Sequence, residues 1–125
     1  MAVSFTDREL DVMKVLWANG PATVAEVREH LDDPLAYTTV LTVLRTLEEK
    51  GHVGHREEGK AHRYHARVAE QTARRSALAR MVDNVFGGSA ELLLTQLVAD
   101  RNLSAAEVAR LRALMEQQLK RRKSP

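Results

Sequence analysis

Apolar residues recur at helical spacing in three segments of the N-terminal half of the chain. The spacing predicts helices over about residues 7–19, 24–31 and 37–50, separated by Gly20-Pro21 and by Asp32-Asp33-Pro34. The positions expected to face the core are Leu10, Met13, Leu16 and Trp17, then Val24, Val27 and Leu31, then Val40, Val43, Leu44 and Leu47. The second and third helices, joined by a short turn, are predicted to form a helix-turn-helix.

Three segments begin with the sequence signature of a capping box. These are Thr6-x-x-Glu9, Thr23-x-x-Glu26 and Ser104-x-x-Glu107. In each, the hydroxyl is expected to accept a first-turn N–H, while the glutamate accepts the N–H of the capping residue. The signatures therefore fix where three helices begin.

A hairpin is predicted directly after the third helix. Residues 52–57 and 61–66 are interpreted as two strands around a Glu58-Gly59 turn. Pairing about that turn sets Val53 opposite Tyr64 and His55 opposite His62. A hairpin in this place is the wing of a winged helix-turn-helix.

From about Glu70 onward the pattern becomes helical again, with Gly87-Gly88 as an interruption. Short apolar helices appended to a small domain have little else to contact, so a two-fold partner is expected to bury them. The residues predicted to form this dimer contact are Leu78, Met81, Val82, Val85, Phe86, Leu93, Leu94, Leu97, Leu111, Leu114 and Met115. The fold class is therefore mainly α with a small β-hairpin: a winged helix-turn-helix followed by a helical dimerisation module.

This pattern gives three regions. Residues 1–67 are expected to form the winged-helix domain, 68–119 the dimerisation module, and 120–125 a disordered basic tail.

Composition excludes several classes of protein. The 125 residues include no cysteine, which rules out disulfides, thiolate metal sites and cysteine nucleophiles. No apolar run is long enough to span a bilayer, and the N-terminus lacks the pattern of a signal peptide, so we expect a cytoplasmic protein without membrane insertion. The net charge of +2 is a weak signal for nucleic-acid binding, so any basic surface must be local.

The predicted third helix has an unusual solvent face. Thr38, Thr39, Thr42, Arg45 and Thr46 lie on or near it, where surface helices ordinarily carry Glu, Lys or Gln. Short hydroxyl side chains allow close approach to DNA, their methyls can contact thymine, and arginine can reach guanine or phosphate. The alternative is that this helix face has no function and simply tolerates β-branched residues. We predict a recognition helix whose DNA-binding residues are Tyr37, Thr38, Thr39, Thr42, Arg45 and Thr46.

The predicted wing carries four basic or titratable side chains that could contact the phosphate backbone. They are Arg56, Lys60, His62 and Arg63. Cations at such a position supply affinity without reading sequence. Glu57 and Glu58 at the same tip oppose this role, and a solvated hairpin of balanced charge remains the alternative.

Metal binding and catalysis receive little support. Four of the five histidines fall in the hairpin, but residues three apart on a strand point to opposite faces, and the one opposed pair offers too few ligands for structural zinc. There is also no phosphate loop and no nucleophile elbow. We therefore expect neither an enzyme nor a cofactor.

Three motifs in order resemble the penicillinase-repressor (BlaI/MecI/CopY) family of transcriptional repressors. Residues 36–44, with Leu47 and Lys50-Gly51, resemble its recognition helix, and residues 59–64 resemble its wing. Residues 85–89 and the segments around Leu97 and Leu111 are similar to its dimerisation module.

The resemblance implies a homodimer on a pseudo-palindromic operator of a resistance or stress operon. In the best-known members a membrane sensor-protease relieves repression by cutting an Asn-Phe bond, and the matching position here is Gln96-Leu97. The family often has arginine where this chain has Thr46, and the cysteine-rich tail of its copper-responsive branch is absent. Two rival hypotheses remain: a winged helix that binds protein rather than DNA, and a repressor that senses a ligand or metal.

Overall fold

The computed structural model describes residues 3–123. The architecture is a winged helix-turn-helix followed by helices, which confirms the predicted fold class. In chain order the elements are α1 (Asp7–Asn19), β1 (Ala22–Thr23), α2 (Val24–His30), α3 (Tyr37–Glu49), β2 (Val53–Glu58), β3 (Ala61–Ala66), α4 (Glu70–Asn84), α5 (Ala90–Arg101) and α6 (Ala105–Lys123).

All three predicted capping boxes form. Thr6 N–H donates to Glu9 Oε1 at 2.8 Å while Glu9 N–H donates to Thr6 Oγ1 at 3.1 Å. The boxes at Thr23 and Ser104 repeat both bonds. Each box satisfies first-turn N–H groups that would otherwise lack a partner, so these helices begin where the sequence predicts.

A single apolar core lies among α1, α2, α3 and the inner face of the sheet. Its fully buried side chains include Val12, Met13, Val27, Val40, Leu44, Leu47, Val53 and Tyr64. The predicted inward positions Leu10, Trp17, Leu31 and Val43 are only half-buried. Trp17 lies at the edge, where its indole N–H donates to the carbonyl of Val68 at 2.9 Å.

The sheet differs from the predicted hairpin in register and in strand number. Val53 pairs with Ala66 and His55 with Tyr64, so both predicted pairings were wrong by two residues. The turn is Gly59-Lys60, with Gly59 at a φ of +62° in the first central position, where type II′ turns need glycine. A shift of two leaves every side chain on its face, so alternation could not have decided between the registers.

A third strand, β1, was missed. It pairs antiparallel with β3 and places β3 at the centre of a three-stranded sheet. Two residues are too short to show any alternation, so the sequence pattern carried no sign of it.

The chain divides into two compact units, one up to Ala79 and one from Arg80. We call them the N-terminal and C-terminal units. The division falls inside α4, later than the predicted boundary at residue 67. The first half of α4 belongs with the winged helix because Ala73 is buried and Ser76 Oγ donates to the carbonyl of Val3 at 2.9 Å.

The C-terminal unit holds the end of α4 together with α5 and α6. Lys120 to Lys123 continue α6, so the predicted disordered tail is wrong for these residues; Ser124 and Pro125 lie outside the described part of the chain. The leucine-rich helix α5, which a second copy is expected to cover, has no buried residue in the single chain. Between residues 3 and 123, no helix is long and apolar enough to cross a membrane.

Candidate nucleic-acid interface

One face of α3 is open to solvent as the sequence predicts. Tyr37, Thr38, Thr39, Thr42 and Arg45 are exposed, whereas Thr46 is half-buried. The opposite face supplies Val40, Leu44 and Leu47 to the core. Within the described residues Arg45 forms no hydrogen bond or ion pair, so its guanidinium is available to a ligand.

The threonine hydroxyls of α3 differ in what they can offer. Thr42 Oγ1 donates to the carbonyl of Thr38 at 2.9 Å, and Thr46 Oγ1 donates to that of Thr42 at 3.0 Å. These two hydroxyl protons are used inside the helix, which leaves lone pairs and methyl groups for a ligand. Thr42 is therefore better suited to accept a bond from an adenine or cytosine amino group than to donate to phosphate.

The N-terminus of α3 lacks the side-chain cap that α1 and α2 have. Its capping residue is Ala36, no side chain accepts a first-turn N–H, and no acidic residue lies in the first turn. Uncompensated N–H groups and the helix dipole favour an anion at this end. The first turn of α3, beside the exposed threonines, therefore has backbone N–H groups that a phosphate could accept.

Arg63, predicted to contact phosphate, is instead held by the protein itself. Its Nη1 donates to Glu26 Oε1 at 2.8 Å and to the carbonyl of Pro21 at 3.1 Å. Its Nε and Nη2 both donate to the carboxylate of Glu58. Four of the guanidinium's five N–H groups are therefore used, and the side chain is only 22% exposed.

The ionisation of this cluster follows from the same bonds. The N–H of Thr23 is the largest cause that lowers the pKa of Glu26, and the charge of Arg63 adds to it. The hydrogen bond from Arg63 lowers the pKa of Glu58, and that bond in turn raises the pKa of Arg63. All three groups are charged at neutral pH, and Glu58 is neutralised by its partner.

The remaining cations of the wing are free. Arg56 and Lys60 are exposed, and neither has a hydrogen-bond or ion-pair partner among residues 3–123. Arg56 lies directly opposite Arg63 on the same face of the sheet, and Lys60 lies in the turn. Because Arg63 neutralises Glu58, the acidic tip opposes phosphate less than the sequence suggested.

His62 takes part in an aromatic cluster on the other face of the wing. Its ring stacks on His55 with centroids 4.4 Å apart, and both rings lie near Tyr64. His55 Nδ1 donates to the carboxylate of Glu48 at 2.6 Å, which joins the wing to the end of α3. In the described part of the chain, no group of three or more His, Asp or Glu side chains is placed to hold a metal ion.

The predicted dimer residues supply most of the large exposed apolar side chains among the described residues. Leu78, Met81, Val85, Leu94, Leu97, Leu114 and Met115 are all exposed, while Val82, Phe86, Leu93 and Leu111 are half-buried. Between α5 and α6 runs a groove of about 460 Å³ lined by Leu94, Leu97, Leu111, Leu114, Met115 and Leu119. Gln96, next to Leu97, is exposed and donates to Asp100 at 2.8 Å.

Sequence reasoning missed the acidic partners of the wing and of α3. Glu26 is read from the sequence only as part of a capping box, and its bond to Arg63 spans 37 residues. Lys50, which donates to buried Glu9 at 2.8 Å, gives no local signal either. In both cases one carboxylate oxygen closes a capping box and also receives a distant cation, which only the fold brings near.

Comparison with known proteins finds a matching family and similar chains. The model of the penicillinase repressor family matches residues 5–117. The penicillinase repressor of Bacillus licheniformis is 25% identical over 120 residues, covering 94% of each chain. The methicillin resistance regulatory protein MecI of Staphylococcus aureus (strain N315) is 22% identical over 109 residues, covering 86% of this chain and 89% of the relative.

Among solved structures, the DNA-binding domain of the repressor BlaI superposes with a TM-score of 0.52 at 30% identity, over 58% of this chain and 90% of that one. A repressor's DNA-binding domain thus shares the fold of a large part of this chain. Because the family model spans nearly the whole sequence, the chain belongs to the penicillinase repressor family.

Proposed function

We propose that two copies of this DNA-binding repressor bind a two-fold symmetric operator, each inserting α3 into the major groove. The observation that carries the proposal is the solvent face of α3, where Thr39, Thr42 and Arg45 stand exposed and Arg45 has no protein partner within residues 3–123. Recognition helices present such residues to base edges near their N-termini.

In the proposal, groups that contact phosphate lie on either side of the solvent face of α3. The uncapped N-terminus of α3 is suited to one phosphate, and Lys60 and Arg56 of the wing are suited to the backbone beside it. Arg63 is removed from this set because its guanidinium is already satisfied. The exposed threonines and arginine favour DNA over a protein partner, and the absence of a three-ligand cluster in the described residues gives no support to metal sensing.

The C-terminal unit supplies the dimer in this proposal. The α5–α6 groove and Leu119, 56% exposed, present apolar surface that a second copy would remove from water. The regulated genes belong to a resistance or stress operon, as the relatives' names suggest.

Loss of the dimer would end repression, and a membrane sensor-protease cutting near Gln96-Leu97 is one route to it. Leu97 lines the groove, so a cut there would remove part of the apolar contact. The intact mass of the repressor in induced cells tests this route. Full-length protein persisting while the operon is expressed would exclude proteolysis and favour a ligand.

The test of DNA reading is the substitution Arg45→Ala, measured by binding to operator and to random duplex. We expect a loss of about 1–3 kcal/mol on operator and a smaller loss on random DNA. Arg75→Ala, which removes an exposed arginine of α4, is the matched control. Equal losses on both DNAs would make Arg45 a phosphate contact, and no loss would exclude the α3 face from the interface.

A further inference from the structure

Arg63 bridges three parts of the N-terminal unit that are distant in sequence. It lies on β3, the central strand, and its bonds reach the Pro21 carbonyl before β1, Glu26 in the first turn of α2, and Glu58 at the end of β2. The wing tip is thus tied directly to the helix that precedes the recognition helix. Apart from this network, the bond from His55 to Glu48 ties the wing to α3.

The geometry points to Arg63 as the positioning residue of the wing, with Glu58 and Glu26 as its two anchors. Arg63 sets the angle at which the Gly59-Lys60 turn meets DNA, and Lys60 makes the contact. This inference rests on the proposed function and deepens it, because it separates the residue that aims the wing from the residues that bind phosphate.

The bond pattern argues against the simpler role of Arg63 as a phosphate ligand. Glu58 receives two N–H groups in a fork, the arrangement in which arginine and carboxylate fit best. One N–H of Nη2 is left for a single bond, but a phosphate could bind the guanidinium through two N–H groups only by displacing one of the two glutamates. Such an exchange would leave a carboxylate unpaired beside the DNA backbone, which is unfavourable.

The two roles predict opposite signs for one substitution, Glu58→Gln. If Glu58 merely competes with phosphate, removing its charge strengthens DNA binding. If Glu58 anchors Arg63, removing its charge loosens the wing and weakens binding, although the protein becomes more positive. Glu57→Gln is the matched control: Glu57 is the neighbouring residue, points to the other face, and has no partner within residues 3–123.

The experiment measures DNA affinity of the full-length variants against salt concentration. We expect Glu58→Gln to bind about two- to five-fold more weakly than wild type, the range for an exposed ion pair. Its salt slope should be shallower by about 0.9 per lost phosphate contact. Glu57→Gln should bind as tightly as wild type or tighter, with its slope unchanged.

Two further results decide between the inference and its alternatives. Amide hydrogen exchange without DNA should be faster at residues 55–64 in Glu58→Gln than in Glu57→Gln, while core amides of α1 and α3 exchange alike. Tighter binding by Glu58→Gln, or equal exchange in the two variants, would overturn the positioning role. A wild-type protein that binds no duplex at any salt concentration would instead refute the proposed function.

Discussion

The side chains of Val40 and Leu44 in the N-terminal unit are fully buried, whereas Leu114 and Leu119 in the C-terminal unit are each 56% exposed. The contrast holds along the chain. Between residues 3 and 123, every buried apolar side chain lies in the N-terminal unit, and every large exposed one except Tyr37 and Leu78 lies in the C-terminal unit. The N-terminal unit forms its apolar core within one chain. The C-terminal unit is as rich in apolar side chains, but most of them are exposed to solvent.

The two units also differ in how polar residues are used. In the N-terminal unit, Glu9 and Glu26 each close a capping box and receive a distant cation, so polar side chains fix the positions of helices and wing. In the C-terminal unit, side-chain bonds in α5 and at the start of α6 join residues three or four positions apart, as from Gln96 to Asp100. The difference is that the N-terminal unit fixes the positions of its elements within one chain, while the C-terminal unit leaves its apolar side chains for the second copy that we propose.

The largest expected effect comes from placing a charge in the α5–α6 groove. Leu97→Glu should prevent dimerisation, because taking a carboxylate out of water at a mostly apolar interface costs more than pairing with Arg122, the cation that lines the groove, can return. Operator affinity should fall by about 10²–10⁴-fold, since the second half-site is no longer bound at high effective concentration. Sedimentation equilibrium and operator binding provide the two measurements.

Gln117→Glu is the matched control for this prediction. It adds the same charge to an exposed position of α6 that does not line the groove. A Leu97→Glu protein that sediments as a dimer would show that the groove is not the interface.

A core substitution in the N-terminal unit should act on folding instead of on association. Leu44→Ala removes a fully buried side chain and is expected to lower the free energy of unfolding by about 2–5 kcal/mol. Leu114→Ala should change the unfolding of the N-terminal unit by less than about 0.5 kcal/mol, because Leu114 is exposed and lies in the other unit. Urea unfolding followed by Trp17 fluorescence reports on the N-terminal unit, and similar losses for both variants would contradict the division.

The smallest effect concerns the Glu9–Lys50 pair and acid stability. Burial alone would raise the pKa of Glu9, but the hydrogen bonds from Lys50 and Thr6 together hold it below its ordinary value of 4.5. A lowered folded-state pKa means stability that is present above pH 4.5 and is lost as pH falls through the folded pKa. Glu9→Gln should therefore cost about 1 kcal/mol at pH 7, since Lys50 is partly exposed to solvent.

The measurement is the urea midpoint between pH 7 and pH 3. The difference in urea midpoint between wild type and Glu9→Gln should narrow as the pH falls below 4.5. Protonation of Glu9 removes the ion pair from the wild type, and glutamine can still close the capping box, so the two proteins become alike. Glu29→Gln, at an exposed position of α2, should show no such difference. A difference in midpoint that stays constant from pH 7 to pH 3 would show that the Glu9–Lys50 ion pair does not contribute to stability.

Local signals in the sequence were sufficient to place the starts of three helices, two in the N-terminal unit and one in the C-terminal unit. Thr6, Thr23 and Ser104 mark three helix starts because capping boxes need only residues three apart, and all three form. The exposed face of α3 was predicted because helical periodicity fixes both faces of a helix at once. The family resemblance was confirmed over nearly the whole chain.

Features set by distant residues were not predictable in the same way. The register of the wing depended on which residues form the turn, and a shift of two leaves the apolar pattern of Val53 and Tyr64 intact. Arg63 looked like a phosphate ligand because its glutamate partners are supplied by two other elements. The apolar residues of α5 find no cover within one chain, so their burial by a second copy stays a prediction.

The most direct test of the central claim is selection of bound sequences from random duplex DNA by the full-length protein. The account predicts an inverted repeat whose half-sites lie about one turn of DNA apart, each bound by one α3. Leu97→Glu should select the half-site alone or nothing. An enriched sequence without two-fold symmetry, or the same inverted repeat bound equally well by Leu97→Glu, would contradict a dimer that reads DNA through two recognition helices.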